Sequence, residues 1–420
     1  MNHNKWYLCI DMKCFFASVE CVERGLNPFE TCLAVVDSSR GKNAICLAIS
    51  PKMKALGVKN RCRLNDIPKN ISFLDAKPRM KKYIDYAAKI YDVYLDYVSP
   101  DDVHVYSIDE AFIDVSNYLK TYNKTPKQFA KLLINEISNR TGIPATCGIG
   151  TNLYLSKIAL DISAKNSKEH IGFLTEDIFN LTLSNHKPIT DFWGIAKGTA
   201  NRLKKYAIYD MEGIRKIDSN LLYREFGINA ELLIDHAYGK ESCTIRDIKN
   251  YRTKSKSISN SQILFEDYEL DKAKIVLQEM ALTACQELIK RKVIANTVSI
   301  YIGYSKDFYK SSGGSIKLPY ATSSYNTIIN YVNSLFEKHA ILGSLIRRLG
   351  ISFGGICDES AEGYDFFTNQ DFIIKERNLE KTVLNIKSKY GKNAVLRGFD
   401  LQEGATQIER NKLIGGHNGE

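Results

Sequence analysis

The chain has 420 residues, of which 44% are hydrophobic and 25% are charged. This length predicts about two to four domains, and the composition is typical of a soluble globular protein. No apolar run reaches the roughly 18 residues of a membrane helix, and no secretory signal precedes Trp6, so we expect a cytoplasmic protein without membrane contact. The ten cysteines include no Cys-x-x-Cys pair, which argues against a zinc ribbon or a redox dithiol.

The net charge of +10 is concentrated in one part of the chain. Residues 249–355 contain 15 Lys and Arg against 8 Asp and Glu, an excess of +7. Such a concentration suits a polyanionic partner, because neutralising phosphates releases condensed counterions. A solvated basic face without a ligand has the same composition, so charge alone does not choose between the two interpretations.

The first part of the chain predicts short strands that alternate with helices. The expected strands cover 6–11, 32–37, 44–49 and 145–150, and the expected helices cover 13–24, 78–97 and 127–141. Residues 103–116 alternate around a polar centre, which predicts a β-hairpin with Asp109 and Glu110 near its tip. The resulting β-α-β-β-α-β order is typical of a ferredoxin-like fold. We expect the glycines of Gly148-x-Gly150 to form a tight turn between strand and helix.

Three acidic residues are prominent by position. Asp11 ends a predicted strand, and Asp109 and Glu110 are adjacent in the hairpin. Both hairpin acids reach one ion only at a bend, since neighbouring side chains of an extended strand point to opposite faces. If the strands are neighbours, the three carboxylates are suited to two Mg²⁺ ions in a phosphoryl transfer. An isolated Asp-Glu pair more often solvates a turn.

The second part of the chain predicts a helical region and then a smaller α+β domain. A helix is expected at 195–206, followed by a polar and basic linker at 240–261. Beyond it, strands are expected at 261–265, 297–304 and 346–353, and helices at 270–292, 324–339 and 379–390.

Several ordered motifs together resemble one enzyme family. Residues 7–20 (YLCIDMKCFFASVE) and 106–112 (YSIDEAF) resemble the two catalytic motifs of the Y-family DNA polymerases. Residues 54–59 (KALGVK) resemble the UmuC-like branch of that family, and residues 147–152 (CGIGTN), with Lys157 and Lys165, resemble its third block. The tail motifs 404–406 (GAT), 409–411 (ERN) and 414–417 (IGGH) resemble UmuC-like proteins of Gram-positive bacteria and their mobile elements. The resemblance covers roughly residues 6–355.

This resemblance implies a role for each matching residue. Asp11, Asp109 and Glu110 would be catalytic and would bind two Mg²⁺ ions, with the backbone carbonyl of Met12 as a further ligand. Phe16 would be the steric gate that excludes a 2′-hydroxyl, although a Phe on a helix is more often part of a core. The triphosphate would be bound by Lys54, Lys165 and the backbone amides of Lys13, Cys14, Phe15 and Phe16. The family often carries Tyr or Arg near residues 51–53, where this chain has neither.

Two further segments resemble the family's DNA-binding parts. Residues 192–203 (FWGIAKGTANRL) resemble a helix-hairpin-helix, with Gly194, Ala196 and Gly198 at a phosphate; Ala196 replaces a common glycine. An ordinary helix-turn-helix packing unit is the alternative. Residues 254–261 (KSKSISNS) resemble the start of the little finger, where Lys254, Lys256, Ser257 and Ser259 would lie along the DNA backbone.

The implied architecture is an α+β right-hand polymerase with a ferredoxin-like palm, small fingers, a helical thumb and an α+β little finger. The expected boundaries are palm 1–12 and 80–170, fingers 13–79, thumb 171–240, linker 241–255, little finger 256–356 and C-terminal tail 357–420. The implied activity is low-fidelity translesion synthesis on primer–template DNA from deoxynucleoside triphosphates.

Candidate partners are a sliding clamp, bound through the aromatic segment 364–367 (YDFF), a UmuD-like subunit and a recombinase. Two other functions remain as alternatives. A nucleotide cyclase shares the two-metal chemistry but needs no thumb hairpin or basic C-terminal domain. A catalytically weak accessory protein at damaged DNA would have no use for the intact acidic triplet.

Overall fold

The computed structural model describes residues 5–252, 256–305, 309–361 and 370–419. Lys254 and the aromatic segment 364–367 lie outside these residues. The chain divides into two compact units, the first formed by residues up to 251 together with 417–420 and the second by residues 252–416.

The first unit contains short strands and helices in alternation. Its strands are β1 Tyr7–Met12, β2 Leu33–Val35, β3 Ala48–Ile49, β4 Leu74–Ala76, β5 Val103–Val105, β6 Glu110–Asp114, β7 Ala145–Gly150 and β8 Ile171–Leu174. Its first six α-helices are α1 Phe15–Val22, α2 Pro51–Ala55, α3 Met80–Leu95, α4 Tyr118–Thr121, α5 Pro126–Thr141 and α6 Leu153–Ile158. Helix α6 continues as a π-helix at Ala159–Ser163. The helices α7 Glu176–Thr182, α8 Lys197–Lys204, α9 Met211–Lys216, α10 Ser219–Phe226, α11 Asn229–Ala237 and α12 Ile245–Asn250 follow.

Five strands form one sheet, which we call the palm sheet, in the order β5-β6-β1-β7-β8. Strand β1 is central and pairs antiparallel with both β6 and β7. Its residues Tyr7, Leu8, Cys9 and Ile10 are buried, as expected of a continuous apolar run covered on both faces. The chain order β1, α3, β5, β6, α5, β7 gives the β-α-β-β-α-β arrangement, so the predicted ferredoxin-like palm is confirmed.

The residues inserted between α1 and α3 form a separate small sheet of order β3-β2-β4. Some of the apolar side chains of this insertion form a core of their own, which includes Val36, Ile49, Met53 and Ile67. Others on the same strands join the core of the palm sheet, namely Leu33, Val35, Ala48 and Ala76. This insertion occupies the place in the sequence where the small fingers were expected.

Glycines in the palm sheet let one helix approach unusually closely. A Cβ atom on Gly148 would lie 2.1 Å from the Ser156 carbonyl oxygen, and one on Gly150 would lie 2.1 Å from the Ser156 nitrogen. Both glycines belong to strand β7, so the predicted tight turn at Gly148-x-Gly150 is wrong. Their role is to leave room for α6 against the sheet.

The predicted linker is also partly structured. Helix α12 begins with a capping box between Thr244 and Asp247, and its Ile245 is buried in a cluster with Tyr7 and Phe112. The sequence indicated a linker because the segment contains few large apolar residues. Two of them, Ile245 and Ile248, nevertheless hold one short helix by packing into this cluster.

The second unit is an α+β domain built on one main sheet of five strands. Its strands are β9 Ser257–Tyr268, β10 Val293–Tyr304, β11 Ser312–Thr322, β12 Ile346–Gly354, β13 Cys357–Asp358 and β14 Leu413–Ile414, and its helices are α13 Leu270–Arg291, α14 Tyr325–His339, α15 Gln370–Tyr390 and α16 Gln407–Asn411. The main sheet has the order β11-β10-β12-β9, with β13 beside β10. Helices α13 and α14 cover one face of the sheet and share its core. The last short strand of the chain, β15 His417–Asn418, belongs to the first unit.

Among the described residues, no helix combines the length and the apolar character that crossing a membrane demands.

Candidate active site

The palm sheet brings the three predicted acids together. Asp11 lies directly opposite Glu110 in the antiparallel pairing of β1 with β6, a position in which the two Cβ atoms are typically about 5 Å apart. Asp109 occupies the bend just before β6, and its carbonyl oxygen accepts a hydrogen bond of 2.9 Å from the Met12 amide. The bend is what allows Asp109 and Glu110 to serve one site, as the sequence required.

The electrostatics of Asp11 reflect this crowding. Burial and, to a smaller extent, the negative charges of Asp109 and Glu110 together raise the pKa of Asp11 to about 7, although Lys157 and Lys165 oppose the shift. Like-charged carboxylates in a partly desolvated site favour a bound cation, because the cation relieves their repulsion.

Glu110 and Asp109 are each engaged by a neighbouring side chain. The Lys157 ammonium lies 2.8 Å from one oxygen of Glu110 and 2.9 Å from the other. The Cys9 thiol also donates to Glu110, at 3.1 Å. Asp109 accepts a hydrogen bond of 2.6 Å from the Ser107 hydroxyl.

These contacts determine how the acids relate to a metal ion. Within the described parts of the chain, no three His, Cys, Asp or Glu side chains already stand as a metal-binding group. The donor set nevertheless fits Mg²⁺, since carboxylate and carbonyl oxygens are the ligands it prefers. Such ions can therefore be held by Asp11, Asp109, Glu110 and the Met12 carbonyl. Binding requires the Glu110 side chain to leave Lys157 and Cys9, and the Asp109 side chain to leave Ser107.

Phe16, the candidate steric gate, lies in the first turn of α1, directly after the strand that carries Asp11. Its half-buried ring stacks on Tyr83 with the ring centroids 4.6 Å apart. The Tyr83 hydroxyl donates to buried Glu20 at 2.8 Å, and Arg79 holds the same carboxylate at 2.8 Å. The Phe16 ring is thus supported from behind by a fixed partner.

Three of the predicted triphosphate-binding residues lie at the start of α1, namely Cys14, Phe15 and Phe16. Cys14 takes the left-handed conformation at φ 48°, just before the helix. Burial raises the pKa of the Cys14 thiol, and the adjacent Lys54 ammonium opposes this increase. Lys54 therefore lies beside this turn, and its predicted contact with a triphosphate stays a prediction. The first-turn amides of Phe15 and Phe16 have no acceptors within the helix.

Lys13 does not follow the expectation in full. Its backbone amide donates to the Pro144 carbonyl at 2.8 Å, so this amide is already used. Its ammonium lies 2.9 Å from Nδ1 of His170. Lys165 is exposed and pairs with Asp161 at 3.2 Å.

The predicted helix-hairpin-helix segment is exposed at its three key positions. Gly194 has φ 89°, which favours glycine, and Ala196 is extended just before α8. Gly198 lies in the first turn of α8, where no atom comes within 4 Å of an added Cβ. Backbone amides at this helix start are accessible to a phosphate.

In the second unit, Lys256, Ser257 and Ser259 are exposed at the start of β9, which is an edge strand of the main sheet. The sheet face opposite to the helices carries a groove of about 400 Å³. Its exposed lining is rich in hydroxyl groups and includes Ser259, Ser261, Ser299, Tyr301, Arg348 and Ser352. The Arg348 guanidinium lies 5.5 Å from the Tyr301 ring centroid.

Neither Lys157 nor Asp161 was assigned a role from the sequence, although Lys157 contacts Glu110 and Asp161 contacts Lys157. Lys157, Asp161 and Lys165 are spaced four residues apart, and each neighbouring pair forms an ion pair. This spacing was the available signal, since residues four apart share one helix face.

Two family models match the chain. The impB/mucB/samB family model matches residues 10–161, and the model of the C-terminal domain of that family matches residues 255–366. The first match spans the three acids, and the second spans β9 to β13.

Known proteins resemble the chain over nearly its whole length. "Putative UV-damage repair protein UvrX" of Bacillus subtilis (strain 168) is 33% identical, covering 98% of this chain and 97% of that protein. "DNA polymerase IV 2" of the same organism is 30% identical, covering 99% of this chain and 100% of that protein.

A solved structure has the same fold. A Y-family DNA polymerase chimera built from Dbh and Dpo4 matches with a TM-score of 0.63 and 20% sequence identity, covering 84% of this chain and 99% of the chimera. This similarity agrees with the predicted architecture of palm, fingers, thumb and little finger.

Proposed function

Because the chain belongs to the impB/mucB/samB family of Y-family DNA polymerases, we propose that it is a DNA-directed DNA polymerase that copies damaged templates. The observation that carries this proposal is the position of Asp11 opposite Glu110, with Asp109 in the adjoining bend. Three carboxylates at the end of a palm sheet are the donor set that nucleotidyl transfer requires.

The reaction is attack of a primer 3′-hydroxyl oxygen on the α-phosphorus of a template-paired deoxynucleotide. A P–O bond to the primer forms, the bond to pyrophosphate breaks, and the hydroxyl proton leaves to solvent or to a nearby base. Two Mg²⁺ ions bound by Asp11, Asp109, Glu110 and the Met12 carbonyl would supply charge stabilisation at the attacking and leaving oxygens.

The other residues of the site bind and orient the nucleotide. Lys54 and Lys165 neutralise the triphosphate, together with the first-turn amides of α1. The Phe16 ring, supported by Tyr83, lies against the sugar and excludes a 2′-hydroxyl. We attribute the rejection of ribonucleotides to a steric clash with this ring, because no polar contact is needed to reject the added oxygen.

DNA is held through its backbone. The exposed segment at Gly194, Ala196 and Gly198 and the edge strand with Lys256, Ser257 and Ser259 offer amides, hydroxyls and a positive charge. Such contacts carry no sequence information, which suits an enzyme that must translocate. Lesion bypass is supported by the relative named for UV-damage repair. Low fidelity is proposed from the resemblance to the family alone.

The proposed partners are a sliding clamp, a UmuD-like subunit and a recombinase. Clamp binding is assigned to the aromatic segment at 364–367, which keeps the aromatic end of a clamp-binding peptide but lacks its Gln. A pull-down with the purified clamp is expected to fail when Phe366→Ala and Phe367→Ala are combined. Undiminished capture of the double variant would remove this assignment.

The test of the proposed function is primer extension opposite an abasic site, with and without purified partners. We expect incorporation opposite the lesion and no extension when Mg²⁺ is chelated. A protein that binds primer–template DNA tightly but extends neither damaged nor undamaged template would instead be a DNA-binding accessory protein.

A further inference from the structure

Four side chains of alternating charge connect the proposed triphosphate site to the proposed metal site. Lys165 pairs with Asp161 at 3.2 Å, Asp161 pairs with Lys157 at 3.2 Å, and Lys157 pairs with Glu110 at 2.8 Å. We call this series the Lys165–Glu110 relay. Its first member contacts the proposed nucleotide and its last member the proposed cation.

The backbone fixes the middle of the relay. Lys157 lies on α6, and Asp161 lies on the π-helix that continues it. The close approach of this segment to Gly148 and Gly150 leaves it no space to shift towards the sheet. π-Helical turns are frequent at functional sites, and this one places Asp161 between two lysines.

The two ends of the relay differ in strength. The side chain of Lys165 is 60% exposed and that of Asp161 is 23% exposed, so their ion pair is screened by water and easily exchanged. The side chains of Lys157 and Glu110 are each only 10% exposed, so breaking that pair without a replacement is costly. A phosphate can therefore replace Asp161 as the partner of Lys165. Glu110 separates from Lys157 only when a cation replaces Lys157 beside Glu110 and an anion remains beside Lys157.

We propose that Asp161 couples nucleotide binding at Lys165 to the release of Glu110 by Lys157. When a triphosphate binds Lys165, Asp161 loses the Lys165 ammonium and attracts the Lys157 ammonium more strongly. The Glu110 oxygens are then freed from Lys157 and available to a divalent cation. Lys157 and Asp161 are positioning residues in this scheme, which rests on the proposed roles of Lys165 and Glu110.

The consequence is a thermodynamic linkage between nucleotide binding and cation binding, which runs through residues of the protein itself. If a nucleotide raises cation affinity through the relay, a cation must raise nucleotide affinity by the same factor. The nucleotide's phosphates also contact the cation directly, and that contribution is independent of Asp161. A variant at Asp161 therefore separates the two contributions.

The experiment is a Mn²⁺ titration of the full-length protein on primer–template DNA with a dideoxy-terminated primer, followed by electron paramagnetic resonance of free Mn²⁺. The dissociation constant is measured without and with the correct deoxynucleoside triphosphate. We expect Asp161→Asn to reduce the nucleotide-induced gain in Mn²⁺ affinity by about fivefold or more relative to the unaltered protein. An unchanged gain would overturn the proposal.

The matched control is Glu287→Gln, which removes an exposed ion pair of the same i,i+4 spacing with Arg291 in the second unit. It is expected to keep the full gain. Loss of the gain in this control as well would contradict the relay.

A double-mutant cycle on the nucleotide-induced gain in Mn²⁺ affinity distinguishes the relay from a merely structural role of Asp161. In Lys157→Met the relay is already broken, so adding Asp161→Asn is expected to change the gain no further. Additive effects of the two substitutions would contradict the proposal. If Asp161→Asn does not fold, Lys165→Gln takes its place, and a retained gain in that variant would contradict the proposal equally.

The outcomes distinguish this inference from the proposed function. Absence of Mn²⁺ and nucleotide binding in the unaltered protein would remove both. Normal binding in the unaltered protein, with equal gains in Asp161→Asn, would remove the relay alone.

Discussion

At the scale of single residues, the ionised carboxyl of Asp11 lowers the free energy of unfolding of the protein. Its carboxyl lies among other acids and is largely buried, so its pKa is raised from 3.8 to about 7. The folded state therefore retains a proton that the unfolded state has already lost between these two values. The contribution of Asp11 to the free energy of unfolding therefore falls as the pH rises from about 4 to 7 and is constant above that range.

We accordingly predict that Asp11→Asn stabilises the protein in EDTA at pH 8. A shift of about three pKa units sets an upper limit of about 4 kcal/mol. The measurement is the free energy of unfolding of both proteins between pH 5 and pH 8. A difference that shrinks as the pH rises would contradict the assigned sign.

Phe16 gives a second prediction at this scale. Phe16→Ala removes the ring that Tyr83 supports, so we expect discrimination against ribonucleotides to fall by at least about tenfold. Single-nucleotide incorporation of a ribonucleotide against the matching deoxynucleotide measures this ratio. Phe129→Leu is the control, because Phe129 is buried in the palm core, its ring contacts Tyr97 and Tyr122, and the variant is expected to keep the ratio. Unchanged discrimination in Phe16→Ala would reject the gate.

Residue positions were predictable where a motif carried them. Asp11, Asp109 and Glu110 came from two short motifs, and the structure brings them together. The partners of these acids were not predictable, because the contact of Lys157 with Glu110 depends on how α6 packs against β7. A sequence shows the i,i+4 spacing of Lys157 and Asp161 but not what lies opposite.

At the scale of elements, the packing of α6 on the palm sheet depends on missing side chains. We predict that Gly150→Ala destabilises the protein by about 3 kcal/mol or more, because its Cβ would lie 2.1 Å from the Ser156 nitrogen. Gly198→Ala is the control, since nothing lies within 4 Å of its Cβ, and we expect it to be neutral or stabilising by up to about 1 kcal/mol. Denaturant unfolding measures both, and equal effects would contradict the close-packing account.

Elements with regular apolar patterns were predicted well, whereas strand β11 and the first part of helix α15 were not recognised. The helix expected at 379–390 begins at Gln370, and its buried positions include Glu376 and Glu380. Glu376 accepts from Ser324 at 2.5 Å and Glu380 accepts from Gln286 at 2.8 Å. Buried glutamates of this kind look like surface residues in a sequence, so the first part of the helix was not recognised.

At the scale of the whole molecule, the positive charge between residues 249 and 355 predicts salt-dependent DNA binding. Arg348 lies on the sheet face opposite to the helices, beside a groove lined by hydroxyl groups. We expect Arg348→Ala to reduce the slope of log affinity against log salt by about 0.9, as for one lost phosphate contact. Lys338→Ala, on the outer side of α14, is expected to keep the slope. Equal slopes in all three proteins would place DNA elsewhere.

The central claim, that Asp109 acts with Asp11 and Glu110 in nucleotidyl transfer, is tested most directly by single-turnover primer extension in Mg²⁺. The comparison is between the unaltered protein, Asp109→Asn and Asp101→Asn, the last being an exposed acid before the same hairpin. We predict that Asp109→Asn slows extension by at least about 10³-fold, or ~4 kcal/mol, while primer–template affinity and the Asp101→Asn rate stay close to those of the unaltered protein. Extension by Asp109→Asn at the unaltered rate would contradict the account.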